Sequence, residues 1–145
     1  LDLVGPEAVV EVPELVEAVV VWNRGPLADV AGRPLEDSRS RVFPGDVAGR
    51  IRKPPQPFDA ILHDVDNGPD AHAHDSNKSI YSAGRLDAAY AALAPGGVLG
   101  VWSFSDDRKF TGRCNRAGFT TQVEKVKASR KGRGRFHYIW IAKRR

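Results

Sequence analysis

Short apolar runs alternate along this chain with segments of helical periodicity. Residues 8–12 (Ala-Val-Val-Glu-Val) read as a short strand. Pro13 suits a first helical position, where its missing N–H costs nothing, and Glu14 sits well near the positive end of such a helix. Leu15, Val16, Val19 and Val20 fall at helical spacing. The pattern therefore predicts a helix over 13–24 despite its β-branched valines, stopped by Asn23-Arg24-Gly25-Pro26. Residues 25–40 read as a loop holding one helical turn. Arg41-Val42-Phe43 is a short strand ending at Pro44-Gly45-Asp46, and Val47 to Arg52 forms one or two helical turns. The stiff connection Pro54-Pro55-Gln56-Pro57 then feeds a strand over 58–64.

The second half continues the alternation. Residues 65–78 are polar, and a helix follows over 79–93 with Ile80, Leu86, Tyr90 and Leu93 as its buried side. A Pro95-Gly96-Gly97 turn leads into a strand over 97–103. Asp106 or Asp107 opens a helix carrying Phe110, Cys114 and Ala117, which Gly118 ends. Residues 119–126 and 136–142 read as two antiparallel strands joined by a basic loop, Ser129 to Arg135. This order implies an α/β domain with a mostly parallel sheet, to whose edge a closing hairpin adds an antiparallel strand.

Length and composition narrow the class. A chain of 145 residues is expected to be one domain with a sizeable core. No apolar run approaches the roughly 20 residues of a membrane span. The lone cysteine, Cys114, excludes an internal disulfide, fits a reducing, cytoplasmic compartment, and is expected as a small buried thiol. The sequence has no methionine and opens on Leu1, so a partial chain is expected at least as much as a processed one.

Charge is lopsided. Residues 1–107 carry 9 Lys/Arg against 17 Asp/Glu, whereas residues 108–145 carry 13 against the single acid Glu124. A basic rim that draws an anionic ligand, or merely solubilises a sheet end, is the preferred account. A nucleic-acid binder using the basic tail is the weaker alternative, because aromatics for base stacking are not interleaved with the charge.

The chemistry concentrates after the strand 58–64, where Asp64-Val65-Asp66-Asn67-Gly68-Pro69 sets two carboxylates before a sharp turn. Ligands of open α/β sheets sit outside the carboxyl ends of the strands. This segment, together with Leu93 to Ser103 around its Pro-Gly-Gly turn, resembles the second half of class I S-adenosylmethionine-dependent transferases, and specifically the spermidine synthase-like branch. The run Ile80-Tyr81-Ser82 followed by Leu86 is similar to that branch's fourth helix.

The resemblance implies a Rossmann-like methyltransferase fold and assigns roles. Glu14 holds the ribose hydroxyls of the nucleoside, with Glu11 as a rival one or two residues too early. Gly45-Asp46-Val47 is similar to the family's Gly-Asp pair, whose acid accepts from the adenine amine; the plainer role for Asp46 is a helix N-cap. Asp64 is the general base for an attacking amine, and Asp66, displaced in spacing, binds the polyamine; the plainer role for both is capping turns. The implied cofactor is S-adenosylmethionine or its decarboxylated form, the acceptor a small amine, and the assembly a homodimer whose interface the resemblance does not reach.

The superfamily's first strand and Gly-rich loop find no counterpart, so the chain is expected to begin inside the helix that follows that loop. In the strand order 3-2-1-4-5-7-6 the missing strand is central, which predicts two half-sheets with unpaired inner edges. A non-catalytic nucleoside-binding scaffold is the alternative function. Minor features read blandly: His72, His74 and Asp75 as a solvated loop, Asn77-Lys78-Ser79 as an idle sequon, His63 as a packed side chain.

Overall fold

The computed structural model describes residues 1, 3–63, 81–129 and 134–145. They form two compact units, Leu1–Arg50 and Ile51–Arg145.

In the first unit β1 (Val10–Glu14) and β2 (Ser40–Pro44) pair in parallel, Val10 opposite Ser40 and Glu14 opposite Pro44. Helices α1 (Glu17–Arg24) and α2 (Ala28–Ala31) connect them, and α3 (Val47–Arg52) follows. The expected helical start at Pro13 is corrected: Pro13 lies inside β1, and α1 begins four residues later. Pairing with β2 runs through Glu14 and overrides the local preference of proline for a first helical turn. An edge strand tolerates the lost N–H, and β1 has β2 as its one neighbour among the described residues. Glu11 in mid-strand meets Arg50 through a two-pronged ion pair, Nε to Oε2 at 2.7 Å and Nη2 to Oε1 at 2.5 Å. The same guanidinium rests 4.3 Å from the Phe43 ring centroid.

The second unit is a four-stranded sheet in the order β3-β4-β6-β5, made from β3 (Phe58–His63), β4 (Leu93–Ser103), β5 (Thr120–Lys127) and β6 (Phe136–Lys143). Strands β3 and β4 are parallel, and β6 is antiparallel to both β4 and β5. Three strands thus run one way. The antiparallel strand is not at the edge, as expected from the hairpin, but between β4 and β5.

Side-chain alternation sorts this sheet. Ile61, His63, Leu99, Val101, Ser103, Trp140 and Ala142 are buried on one face. Helices α4 (Ala83–Ala92) and α5 (Arg108–Arg116) pack there, with Leu86, Ala89, Phe110 and Cys114 buried as well. Full burial of side chains such as Leu99, Val101 or Phe110 stabilises by about 1.5–3 kcal/mol each. Edge-on ring contacts link Tyr81 to Phe110 at 5.5 Å and Phe110 to Trp140 at 5.3 Å. Trp140 donates its indole N–H to Thr111 Oγ1 at 2.9 Å. Asp107 caps α5, accepting from the Phe110 N–H at 3.0 Å and pairing with Arg113.

The Pro-Gly-Gly segment lies within β4 as an irregularity, and the strand begins at Leu93 rather than at 97. The register jumps from Phe58 opposite Leu93 to Ala60 opposite Val98. Gly97 is required there, since a Cβ would stand 2.9 Å from the Ala94 carbonyl oxygen and 3.1 Å from that of Phe58.

Candidate functional site

The carboxyl end of the β1–β2 pair gathers the first set of chemical groups. Glu14 is the last residue of β1. Its Oε1 accepts from the Val16 N–H at 2.8 Å, which fixes the carboxylate at the strand end. Among the described residues no donor reaches its second oxygen. The Gly45 N–H donates to the Glu14 carbonyl at 3.0 Å, joining the loop after β2 to the end of β1. Gly45 has φ +136°, a conformation that side chains strain to adopt. Asp46 follows at once. Its Oδ1 accepts from the Ala48 N–H at 2.9 Å, so it does cap α3, while Oδ2 has no protein donor among the described residues. Val47, the first residue of α3, is half-buried beside it. Glu11 is differently placed: Arg50 engages both its oxygens, and that hydrogen bond holds its carboxyl below the usual range despite partial burial.

In the second unit β3 ends at His63, and Asp64 and Asp66 lie outside the described residues, as do His72, His74, Asp75, Asn77 and Ile80. His63 is 7% exposed, and its Nε2 has no partner among the described residues. Its ring stands edge-on to Tyr81 at 6.4 Å. Burial pushes the imidazole down to about 4, so it is neutral near pH 7. Cys114 is the buried thiol its isolation suggested; burial pushes it up to about 12.

Two groupings escaped sequence reading. Trp102 donates its indole N–H to His137 Nδ1 at 3.0 Å, and Phe104 packs edge-on against both rings. Across the β5–β6 ladder Lys125 lies 4.1 Å from the Phe136 ring centroid. Each depends on pairing between strands, and only a predicted register would have revealed it. Among the described residues no group of three or more His, Cys, Asp or Glu is placed to hold a metal ion. None of their helices is long and apolar enough to cross a membrane.

No family model matches the sequence, and no curated protein matches it. Solved structures do match the fold. A methyltransferase from Pyrococcus furiosus superposes with a TM-score of 0.61 at 18% identity, over 93% of this chain and 62% of that one. Spermidine synthase from Thermotoga maritima gives 0.66 at 18% identity, over 93% and 44% respectively. Human methyltransferase-like protein 13, in complex with SAH, gives 0.67 at 16% identity, over 97% and 63%. The chain thus spans about half to two-thirds of the length of these proteins. The fold is the Rossmann-like methyltransferase fold. Each sheet taken by itself reproduces part of its strand order: β2-β1 stand as strands 3-2, and β3-β4-β6-β5 as strands 4-5-7-6. Among the described residues no strand stands for the first.

Proposed function

We propose that this chain is the nucleoside-binding and base-bearing part of a transferase of the spermidine synthase-like kind, with both units belonging to one domain. One observation carries the reading. Glu14 ends β1 and Asp46 stands two residues beyond the end of the parallel β2, each with one carboxylate oxygen tied to a backbone N–H and the other left for a ligand. That pair of acceptors fits an adenosyl group: Glu14 accepts from the ribose hydroxyls, Asp46 from the adenine amine, and Val47 lines the base.

When bound, an adenosyl sulfonium supplies an activated alkyl carbon. Asp64 would attract the acceptor, a small-molecule amine, as its ammonium form and take its proton, leaving the nitrogen lone pair free, while the bound sulfonium would supply the alkyl carbon and, as its C–S bond broke, depart as a neutral thioether. Asp66 is the second anchor for the cation. The carboxylates restrict the acceptor to cationic amines, and an aminopropyl rather than a methyl group is the transferred unit. Catalysis in a homodimer goes with this reading.

Calorimetric titration of 5′-methylthioadenosine and S-adenosylmethionine tests it. Binding is expected to weaken roughly tenfold to a hundredfold in Glu14→Gln, in keeping with the loss of charged hydrogen bonds. Asp64→Asn is expected to retain the nucleoside and lose turnover; a scaffold would have no turnover to lose. Absence of binding by the folded chain, and by a form extended upstream, would overturn the proposal.

A further inference from the structure

The distal half of the β5–β6 hairpin has a face of its own. Lys125 stands opposite Tyr138, and Lys127 opposite Phe136, so two cations and two rings share one side of the ladder. Lys125 Nζ lies 4.1 Å from the Phe136 centroid and 5.9 Å from that of Tyr138; Lys127 Nζ lies 5.8 Å from Phe136. Toward the core the same face carries Val123 opposite Trp140, where Thr111 of α5 receives the indole N–H. Beyond α5 the face emerges, and Phe136 is 41% exposed.

Along the sequence the charge of this hairpin is mostly positive. Glu124, the single acid after residue 107, points to the opposite face and bonds Gln122. Asp107, the nearest acid before it, is paired with Arg113. The connection between the strands adds Arg130, Lys131, Arg133 and Arg135 in sequence.

We propose that this face binds single-stranded nucleic acid, with Phe136 and Tyr138 as stacking platforms and Lys125 and Lys127 as phosphate contacts. An ammonium resting on an exposed ring is held less tightly than a stacked base. A strand lying here therefore satisfies both groups together: a base replaces the ammonium on the ring, and the ammonium turns to the neighbouring phosphate. A duplex offers phosphates but no open base faces, so the exposed ring selects single strands. The lack of aromatics among the charges, which argued against such a partner, holds along the chain and fails across the ladder. Residues 125 and 136 are far apart in sequence and adjacent in space. This surface is independent of the nucleoside-binding proposal, since it uses none of the same residues.

Fluorescence anisotropy of the 145-residue chain with a labelled single-stranded oligonucleotide of about 16 nucleotides tests the surface, with the same sequence as a duplex, and heparin, as competitors. Single strands are expected to bind at least about tenfold tighter than duplex. Phe136→Leu, which keeps apolar volume and removes the ring, is expected to weaken binding about tenfold without changing the salt slope. The Lys125→Gln/Lys127→Gln double variant is expected to flatten the slope of log K against log salt by about 1.4, at about 0.7 per phosphate contact. Phe104→Leu, on the opposite face, is expected to bind like the parent. Circular dichroism verifies that each variant is folded. Unchanged affinity in Phe136→Leu, duplex or heparin bound as tightly as the single strand, or no binding at about 50 mM salt would each overturn the proposal.

Discussion

Gly45 donates its backbone N–H to the carbonyl of Glu14, N to O 3.0 Å, and this bond sets the loop bearing Asp46 against the strand end bearing Glu14. It forms at φ +136°, a region open to glycine and strained for other residues by about 1–3 kcal/mol. No atom lies within 4 Å of a Cβ built there, so a substitution meets strain and not a clash. Gly45→Ala is therefore expected to lower stability by about that strain, and to weaken nucleoside binding by misplacing Asp46. Urea unfolding and calorimetric titration on the same variant check both effects. Lost stability with unchanged binding would show that the loop does not set the site.

Glu11 gives a test of the ion pair that occupies the rival carboxylate. The Arg50 hydrogen bond lowers its folded-state pKa beneath the ordinary value of 4.5. A lowered carboxylate pKa contributes stability that is present above the unfolded value and lost as pH falls through the folded one. The urea midpoint is therefore expected to decline below about pH 4.5, and Glu11→Gln is expected to lower it at pH 7 and flatten that acid limb. Nucleoside binding should survive this change at pH 7, because Glu14 and not Glu11 ends the strand.

Much of the architecture was readable because its signals are local. The capping aspartate before Phe110 and the glycine after Ala117 each mark a boundary through backbone chemistry that needs no partner, whereas the Pro-Gly-Gly segment falls inside β4. The split into two half-sheets followed from the resemblance and the missing central strand. What failed was decided at a distance. Pro13 looks like a helix start until Phe43, some thirty residues on, extends the ladder past it. The local hairpin signal put the antiparallel strand at the edge, whereas its interior position is the one that the resemblance's strand order implies. At the site, Glu14 closes β1 instead of opening a helix, and Asp46, two residues beyond β2, performs the plainer capping role. Asp64 and Asp66 lie outside the described residues, so their part in the chemistry rests on the resemblance.

Thr111 provides a check on the core of the second unit. Its hydroxyl is the acceptor for the indole N–H of Trp140, a side chain with no solvent exposure. Thr111→Val keeps the shape and leaves a buried donor unpaired, with an expected cost of about 1–3 kcal/mol. Thr111→Ser retains the acceptor and is expected to cost less. Thermal unfolding of the two variants separates these outcomes; an unchanged midpoint in Thr111→Val would show that the hydrogen bond does not stabilise the core.

His63 makes a prediction with a defined pH window. Its imidazole is buried at the end of β3, and burial alone lowers it from an ordinary 6.5 to about 4. Below pH 6.5 the unfolded chain takes up a proton that the folded chain refuses, so stability is fully present above that value and falls as pH drops toward 4. Across the window the loss is on the order of 2–3 kcal/mol, because each tenfold loss of proton affinity on folding corresponds to about 1.4 kcal/mol. This decline begins well above the acid limb set by Glu11, so the two are separable in one titration. Urea midpoints measured at pH 7, 5.5 and 4.5 (about one point per pH unit across the window) are expected to fall steadily. His63→Leu removes the titrating group and is expected to flatten this segment while leaving the Glu11 limb in place. A parent chain whose midpoint stays constant between pH 7 and pH 5 would show that His63 is able to accept its proton while folded, and that its pocket admits water.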